Sequence, residues 1–408
     1  MRLFDSTIRI KVKELPFFSA YGIFLLFSVL STSLYYKYIS GAIYAGIILM
    51  CMGIAAAGEI FLGSKYNTKQ QYALIITIIL YAIISYTSSG FFTTVGIIPI
   101  LLFSARNIDF RKIAWFSAVM MFFILLFVIL SAEAHIIRNL SVVSINGRHR
   151  EFLGFRFPLN PATIAFNISA LWVYYKKEKL HFIEIFFLLG LNAFIFIKTD
   201  SKLAFASSVI VLVMGFMLKY CCDFVSRRRA ITFFICLSFI IAFGISLAFA
   251  LTYDGRVMWM KKLNRFTEDR VYFANLSLKE YGVTLFGEDI PWVGFGTEDS
   301  GEIANNVKAN YFYVDNMYIQ VMQRYGLLFF GAYIFLNTVT MLRCRKNNDM
   351  YALLILAVIA YKCIIDNLSF YIYYNTFWFM ICYAILYKRK SILEDPTVRR
   401  LLRKLDLI

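Results

Sequence analysis

Apolar runs long enough to bridge a lipid bilayer recur from one end of this 408-residue chain to the other, separated by short polar stretches. A helix needs roughly 17 to 25 mostly apolar residues to cross the hydrocarbon. Lipid offers no hydrogen bonds, so each segment must satisfy its own backbone. The pattern therefore dictates an all-α, polytopic helix bundle embedded in a membrane. Composition agrees, because 60% hydrophobic residues, 18% aromatic residues and six prolines do not describe a water-soluble fold.

About twelve transmembrane helices are expected, near residues 16–35, 40–62, 72–86, 91–102, 113–130, 161–175, 182–197, 203–218, 230–252, 316–342, 350–365 and 370–386. All belong to one integral domain, 1–408, with two long connections at 132–160 and 252–315. The third and fourth runs are short, so the pair around Ser88, Ser89 and Gly90 reads either as two thin crossings or as a re-entrant hairpin.

Charge orients the bundle. With the N-terminus in the cytoplasm, 26 of the 42 Lys and Arg residues fall on cytoplasmic segments, the C-terminal tail included. The exceptions concentrate in the two long connections, which are then extracytoplasmic. The formal charge of +17 follows from this topology and from attraction to anionic lipid, and nucleic acid is not expected as a partner. The N-terminal tail reads as uncleaved, with the first apolar run kept as a helix.

The cytoplasmic side has no room for a nucleotide-binding domain, since its longest interior loop is Lys219 to Arg229. Both long connections lack cysteine, and neither offers a histidine cluster or an Asp-x-Asp pair. No cofactor and no metal are therefore expected. An enzyme of this kind works outside the cytoplasm on a substrate that carries its own activation.

The second connection is too long to be a mere link, and long loops of this kind are usually functional. It contains one clear helix: Thr267 as N-cap, Glu268 and Asp269 in the first turn, Val271, Ala274, Leu278 and Tyr281 on one face, and Gly282 as the stop. Beyond it, Phe286, Trp292 and Phe295 lie among glycines and suit either sugar faces or the bilayer interface.

The first connection carries Arg148, Arg150 and Arg156 within nine residues, on the face where positive charge is normally depleted. Guanidinium groups fit phosphate oxygens in a fork, so an anionic partner is indicated. Pairing with lipid headgroups or with Glu133 and Glu151 is the plainer alternative. Asn160 before Pro161 reads as a helix N-cap.

These residues resemble a known family. The segment Arg148 to Asn160, the turn Thr199-Asp200-Ser201-Lys202, Arg270 followed by Leu285-Phe286-Gly287, and Val314-Asp315-Asn316-Met317-Tyr318 with Gly326 beyond are similar to the pattern of Wzy-type bacterial polysaccharide polymerases. Those belong with the O-antigen ligases in one superfamily. The likeness covers essentially the whole chain, with architecture its stronger half and short, degenerate motifs its weaker. It implies an enzyme of the bacterial cytoplasmic membrane that joins undecaprenyl-diphosphate-linked oligosaccharides into O-antigen, capsule or exopolysaccharide. Such an enzyme releases undecaprenyl diphosphate and uses no metal and no nucleotide sugar. A flippase and a chain-length regulator are the implied protein partners. In the ligases a histidine heads the helix after the large loop, whereas Asp315 stands here, which favours a polymerase. The spaced Arg-to-Gly repeats described for some polymerases are absent.

Under this resemblance Asp315, Arg270 and Arg156 are the candidate catalytic residues, and Arg148, Arg150, Lys202, Asn316 and Arg324 the candidate substrate-binding residues. Asp315 is read as a base for the attacking hydroxyl, and the arginines as stabilisers of the departing diphosphate. Each has a structural alternative. Asp315 can cap the helix it precedes, Lys202 can snorkel to the interface, and Arg324 can pair with Gln320 four residues earlier. Lys362 and Asp366 share that spacing and read as a salt bridge near the end of a span. An O-antigen ligase-like transferase and, in a different class, a transporter or flippase of lipid-linked oligosaccharide stay open. The flippase predicts internal repeats that the sequence does not display.

Overall fold

The computed structural model describes residues 10–63, 66–87, 91–143, 149–294 and 311–387. Within them run α1 (Leu15–Ser31), α2 (Gly41–Leu62), α3 (Thr68–Thr87), α4 (Ile97–Ser104), α5 (Phe110–Glu133), a hairpin of β1 (Ser141–Val143) and β2 (His149–Glu151), then α6 (Leu159–Lys176), α7 (Phe182–Thr199) and α8 (Lys202–Arg227). The second half continues with α9 (Arg229–Cys236), α10 (Ser238–Thr252), α11 (Met258–Phe266), α12 (Arg270–Tyr281), α13 (Met317–Lys346), α14 (Met350–Lys362) and α15 (Phe379–Leu386).

Among the described residues seven helices are long and apolar enough to cross a membrane: α1 with its preceding turn, α2, α3, α5, α7, α8 and α13. The bent pair α9 and α10, folded by 55° at Leu237, makes an eighth if read as one span. The protein is thus an all-α membrane protein. Its periphery confirms the solvent, since Ile60, Phe61, Phe186 and Ile197 project outward from α2 and α7. Such a surface would aggregate in water and is ordinary against lipid tails. The centre is built from α1, α5, α6, α8, α13, α14 and α15, whose side chains form one continuous apolar core.

Polar contacts between helix ends define two faces. On one, Lys112 bridges to Glu14, Arg106 to Glu59 and Lys177 to Asp349, joining the ends of α1, α2, α5, α6 and α14. On the other, the Thr32 carbonyl at the end of α1 accepts from the Arg156 amide and from Asn160 Nδ2, and Arg150 Nε donates to Thr199 O at the end of α7. This second face carries both long connections, and we call it the loop face.

Three spans depart from the regular helices that the sequence predicts, each for an identifiable reason. The run at 230–252 bends at Leu237. Helix α13 is broken at Gly326, whose φ of 80° and ψ of 168° are not helical. The run at 370–386 is helical only from Phe379, and residues 363–378 are an irregular segment with two single 3-10 turns. Helix α14 has 13 residues, about 20 Å at 1.5 Å per residue. That falls short of the roughly 30 Å of hydrocarbon, and the irregular segment follows directly from its end. The segment is buried in protein, and its polar groups are met from within the bundle. Asn375 Nδ2 donates to Ser369 O, Trp378 Nε1 to Phe370 O, and Asn167 Nδ2 to Thr376 Oγ1.

The break at Gly326 is closed by the large connection. Leu327 and Leu328 donate backbone bonds to Thr284 O and Leu285 O, and Glu288 N donates to Gln323 O. Gly287, with φ of 88°, crosses Gly326 so closely that a Cβ on Gly326 would sit 2.4 Å from Gly287 N. The Leu285-Phe286-Gly287 motif and Gly326, 39 positions apart in sequence, are thus two halves of one backbone contact.

Other expectations are corrected here. The third run is longer than it reads, because α3 spans Thr68–Thr87 and qualifies as a crossing; Ser88, Ser89 and Gly90 lie outside the described residues. Asn160 is not an N-cap: α6 begins at Leu159 after Pro158, and the Asn160 side chain reaches back to α1 instead. Thr267 does not cap α12 either. It ends α11, its hydroxyl donating to Leu263 O and Asn264 O, and a two-residue link with positive φ at Glu268 and Asp269 follows. Asn264 does the capping instead, accepting from Tyr272 N through Oδ1. The expected stop at Gly282 is where α12 ends.

Candidate functional site

The irregular segment lays a run of tyrosines beneath the loop face. Tyr371 and Tyr373 stack at 5.6 Å between centroids, Tyr373 leans on Tyr374 at 4.6 Å, and Tyr325 stacks on Phe370 at 5.5 Å. The floor is pinned from below by Lys362, which is fully buried and donates to Asp366 and Ser369. Asp366 in turn accepts from Leu368 N. The sequence expectation of a Lys362–Asp366 pair is met, and the pair fixes the turn from which the tyrosines hang. Asn367 ties the floor to the loop above, donating to Tyr313 Oη and Gln320 Oε1.

Arginines from three distant stretches gather on this face, and two of them, Arg156 and Arg324, lie within electrostatic reach of the floor tyrosines. Arg156 arrives because Leu153 and Gly154 both adopt positive φ, turning the chain so that Leu34 N donates to Gly154 O and Arg156 N to Thr32 O. Its guanidinium then lies 4.5 Å over the Tyr36 ring, within electrostatic reach of Tyr374. Its Nε is buried, and among the described residues no acceptor for the guanidinium is found. A buried polar atom without a partner is costly and rare, and the rest of the Arg156 side chain is half-buried.

Arg270 opens α12, and its Nε donates to Asp315 Oδ2 at 3.0 Å. Asp315 is not the cap of α13, because that role belongs to Asn316, whose side chain accepts from Ile319 N. The carboxylate is left to face Arg270, with both side chains about a fifth to a quarter exposed, at 21% and 24%. Helix α12 is held against α13 by Ser277, which donates to Gln323 Oε1 and accepts from Trp292 Nε1, while Gln323 Nε2 donates to Ser277 O and Gly282 O. Tyr311 and Tyr313 flank Asp315. Burial pushes both hydroxyls up, Tyr313 to about 12, so they stay neutral donors through the physiological range.

Arg324 does not pair with Gln320. It reaches Asp289 at 3.2 Å and lies 5.5 Å from the Trp292 ring. Together with Thr93, Thr94, Val95, Tyr325 and Tyr371 these two charges line a cavity of about 320 Å³. Arg150 and Lys202 gather elsewhere, at the junction of α7 and α8. Arg150 donates to Thr199 O, Lys202 is exposed, and Ser201 between them donates to Pro158 O. Arg148 lies outside the described residues. Asn316 is buried and structural.

The sequence reading missed the tyrosine floor, because Tyr371, Tyr373 and Tyr374 sit inside an apolar run that reads as span. The available signal was polar: Asn375 and Thr376 stand inside the supposed helix 370–386, and Asp366 and Asn367 just before it. Among the described residues no three His, Cys, Asp or Glu side chains gather as metal ligands. No family model, no curated protein and no solved structure matches the chain.

Proposed function

We propose that this protein is a metal-independent glycosyltransferase that polymerises undecaprenyl-diphosphate-linked oligosaccharides at the outer surface of the bacterial cytoplasmic membrane. The observation that carries the reading is Arg156, a charged group stacked over a ring, at the mouth of an aromatic floor, and lacking an acceptor among the described residues. Arginine suits diphosphate because its fork grips two oxygens and stays charged in a poorly hydrated site. Positive-inside counting places the loop face outside and both termini in the cytoplasm. Reading α4, α6, α14 and α15 as short crossings, beside the seven long helices and the bent pair, gives twelve passages.

In this reading a hydroxyl of the incoming unit attacks C1 of the reducing-end sugar of the growing chain. The new C1–O bond forms as the C1–O bond to diphosphate breaks. Asp315 takes the hydroxyl proton, and undecaprenyl diphosphate departs with the bonding pair. Arg156 meets the charge that develops on it. Arg270 is held in place by Asp315 and approaches the same group. Arg150 and Lys202 contribute a positive rim that draws in the lipid diphosphate.

One observation favours a second reading. Broken spans and irregular backbone are common at transporter sites, and Gly326 and residues 363–378 supply both. Purified protein in vesicles, given undecaprenyl-diphosphate oligosaccharide, separates the two. A ladder of longer saccharides with released undecaprenyl diphosphate supports the polymerase. Movement of the lipid across the bilayer without any ladder replaces it with a flippase.

A further inference from the structure

We infer that the cavity between Arg324 and Tyr371 is a subsite for one neutral sugar ring, distinct from the anion-binding position at Arg156. The inference rests on the saccharide reading above and goes beyond it by assigning the cavity a ligand class. Its volume of about 320 Å³ is at the small end of the roughly 300–1,000 Å³ usual for ligand sites. That suits one or two rings and excludes a polyprenyl chain.

The lining selects the chemistry. Among the described residues Arg324 is the one cation on the wall, and its charge is answered by Asp289 at 3.2 Å. A phosphate or a uronic acid would have to compete with that carboxylate and would face it across the cavity. A neutral sugar has no such conflict. Its hydroxyls can donate to the Asp289 carboxylate and accept from Arg324, while Thr94 and the ring of Tyr371 offer one more hydroxyl and an apolar face. The contrast with Arg156 is direct: there the guanidinium has no carboxylate beside it among the described residues.

The position fits a sugar near the reaction centre. Trp292, stacked near Arg324, also touches Tyr313 at 6.4 Å between centroids. Tyr313 lies two residues before Asp315 in the stretch that leads into α13, within electrostatic reach of it. A ring held at Arg324 is therefore joined to the carboxylate by one aromatic relay.

The test uses the purified full-length protein in lipid nanodiscs and saturation-transfer NMR with irradiation of aromatic protons. The probes are glucose, galactose, N-acetylglucosamine, N-acetylgalactosamine, rhamnose, glucuronate and inorganic pyrophosphate. At least one neutral sugar is expected to receive transfer from the wild type in preference to glucuronate. Asp289→Asn, at a largely exposed side chain whose loss does not endanger folding, removes the negative charge and releases Arg324. The bound neutral sugar should then weaken roughly tenfold, as loss of a hydrogen bond to a charged group implies, and glucuronate should gain. No transfer to any neutral sugar overturns the assignment. So does a wild-type preference for glucuronate, or an Asp289→Asn protein whose selectivity is unchanged. The assay contains no lipid diphosphate and reads no chemistry, so it can fail while elongation succeeds, and elongation can fail while the sugar still binds.

Discussion

Arg106 and Arg156 sit on opposite faces of the bundle, each with its guanidinium laid over an aromatic ring, Phe103 at 4.1 Å in one case and Tyr36 at 4.5 Å in the other. Arg106 has a carboxylate: both terminal nitrogens donate to Glu59 at 2.7 Å and one also reaches Phe103 O, while its Nε, like that of Arg156, is buried without a partner. Arg156 has the same stacking and no acceptor among the described residues. The first arrangement closes a helix junction, while the second leaves charge and donors aimed at whatever enters from the loop face. An unpartnered buried Nε does not separate the two side chains; the carboxylate beside Arg106 does.

The largest effect expected from this difference is on catalysis. Arg156→Ala should lower elongation roughly a hundredfold to a thousandfold, about 2.7–4 kcal/mol in the barrier, by analogy with loss of a preorganised oxyanion donor. Its unfolding midpoint in detergent should hardly move, because no carboxylate is orphaned. Lys should restore only part of the rate, keeping the charge without the fork. Normal elongation by Arg156→Ala would reduce the residue to packing and erase the contrast.

Arg106→Ala should show the reverse. Glu59 would keep only the Tyr66 hydroxyl as a donor among its described contacts. Breaking a buried pair costs about 3–5 kcal/mol, and Glu59 is 21% exposed, so the lower end is expected. A stability loss of about 3 kcal/mol in mixed-detergent unfolding, with unchanged turnover per folded molecule, would fit. A fully stable variant would show that this face is not held together by its ion pairs.

How much of this was legible in the sequence depends on range. The long apolar helices, the α12 stop at Gly282 and the Lys362–Asp366 pair follow from local pattern and were readable. Arg156 was readable as a suspect, since three arginines stood where positive charge is depleted. The contact of Gly287 with Gly326 was not, because sequence shows two glycines but not that they cross. Nor was the tyrosine floor, hidden because an irregular segment buried in protein is as apolar as a helix. Capping misled in both directions: Asn160 and Thr267 look like caps and are not, and Asp315 yields to its neighbour Asn316 because that side chain reaches Ile319 N.

Asp315 gives a smaller effect that tests a matched pair of carboxylates. Asp349 caps α14 through Ala352 N and binds Lys177, while Asp315 caps nothing and binds Arg270. Asp349→Asn keeps the cap but removes the buried carboxylate charge that Lys177 binds, so a stability loss of about 1–3 kcal/mol with unchanged turnover is expected. Asp315→Asn, at a more exposed pair, should unfold nearly as the wild type, yet lose about a hundredfold in elongation, the lower end for removal of a general base. Full activity in Asp315→Asn would leave the carboxylate as the support of Arg270 and nothing more.

The smallest expected effect is none, and it bears on the same comparison. If a guanidinium without a protein acceptor supplies the positive charge at the departing diphosphate, no divalent ion has to do so. Elongation measured in EDTA, without nucleotide, should match elongation without chelator. A divalent ion is the main chemical alternative to arginine at a diphosphate, because either can neutralise the oxygens from which the bonding pair departs. Activity that vanished in EDTA and returned with magnesium or manganese would move the stabilising charge from Arg156 to a metal carried in with the diphosphate. The unanswered guanidinium over Tyr36 would then serve to hold the lipid in place while the ion met the developing charge, and Arg156→Ala should raise the half-saturating concentration of substrate more than it lowers the maximal rate.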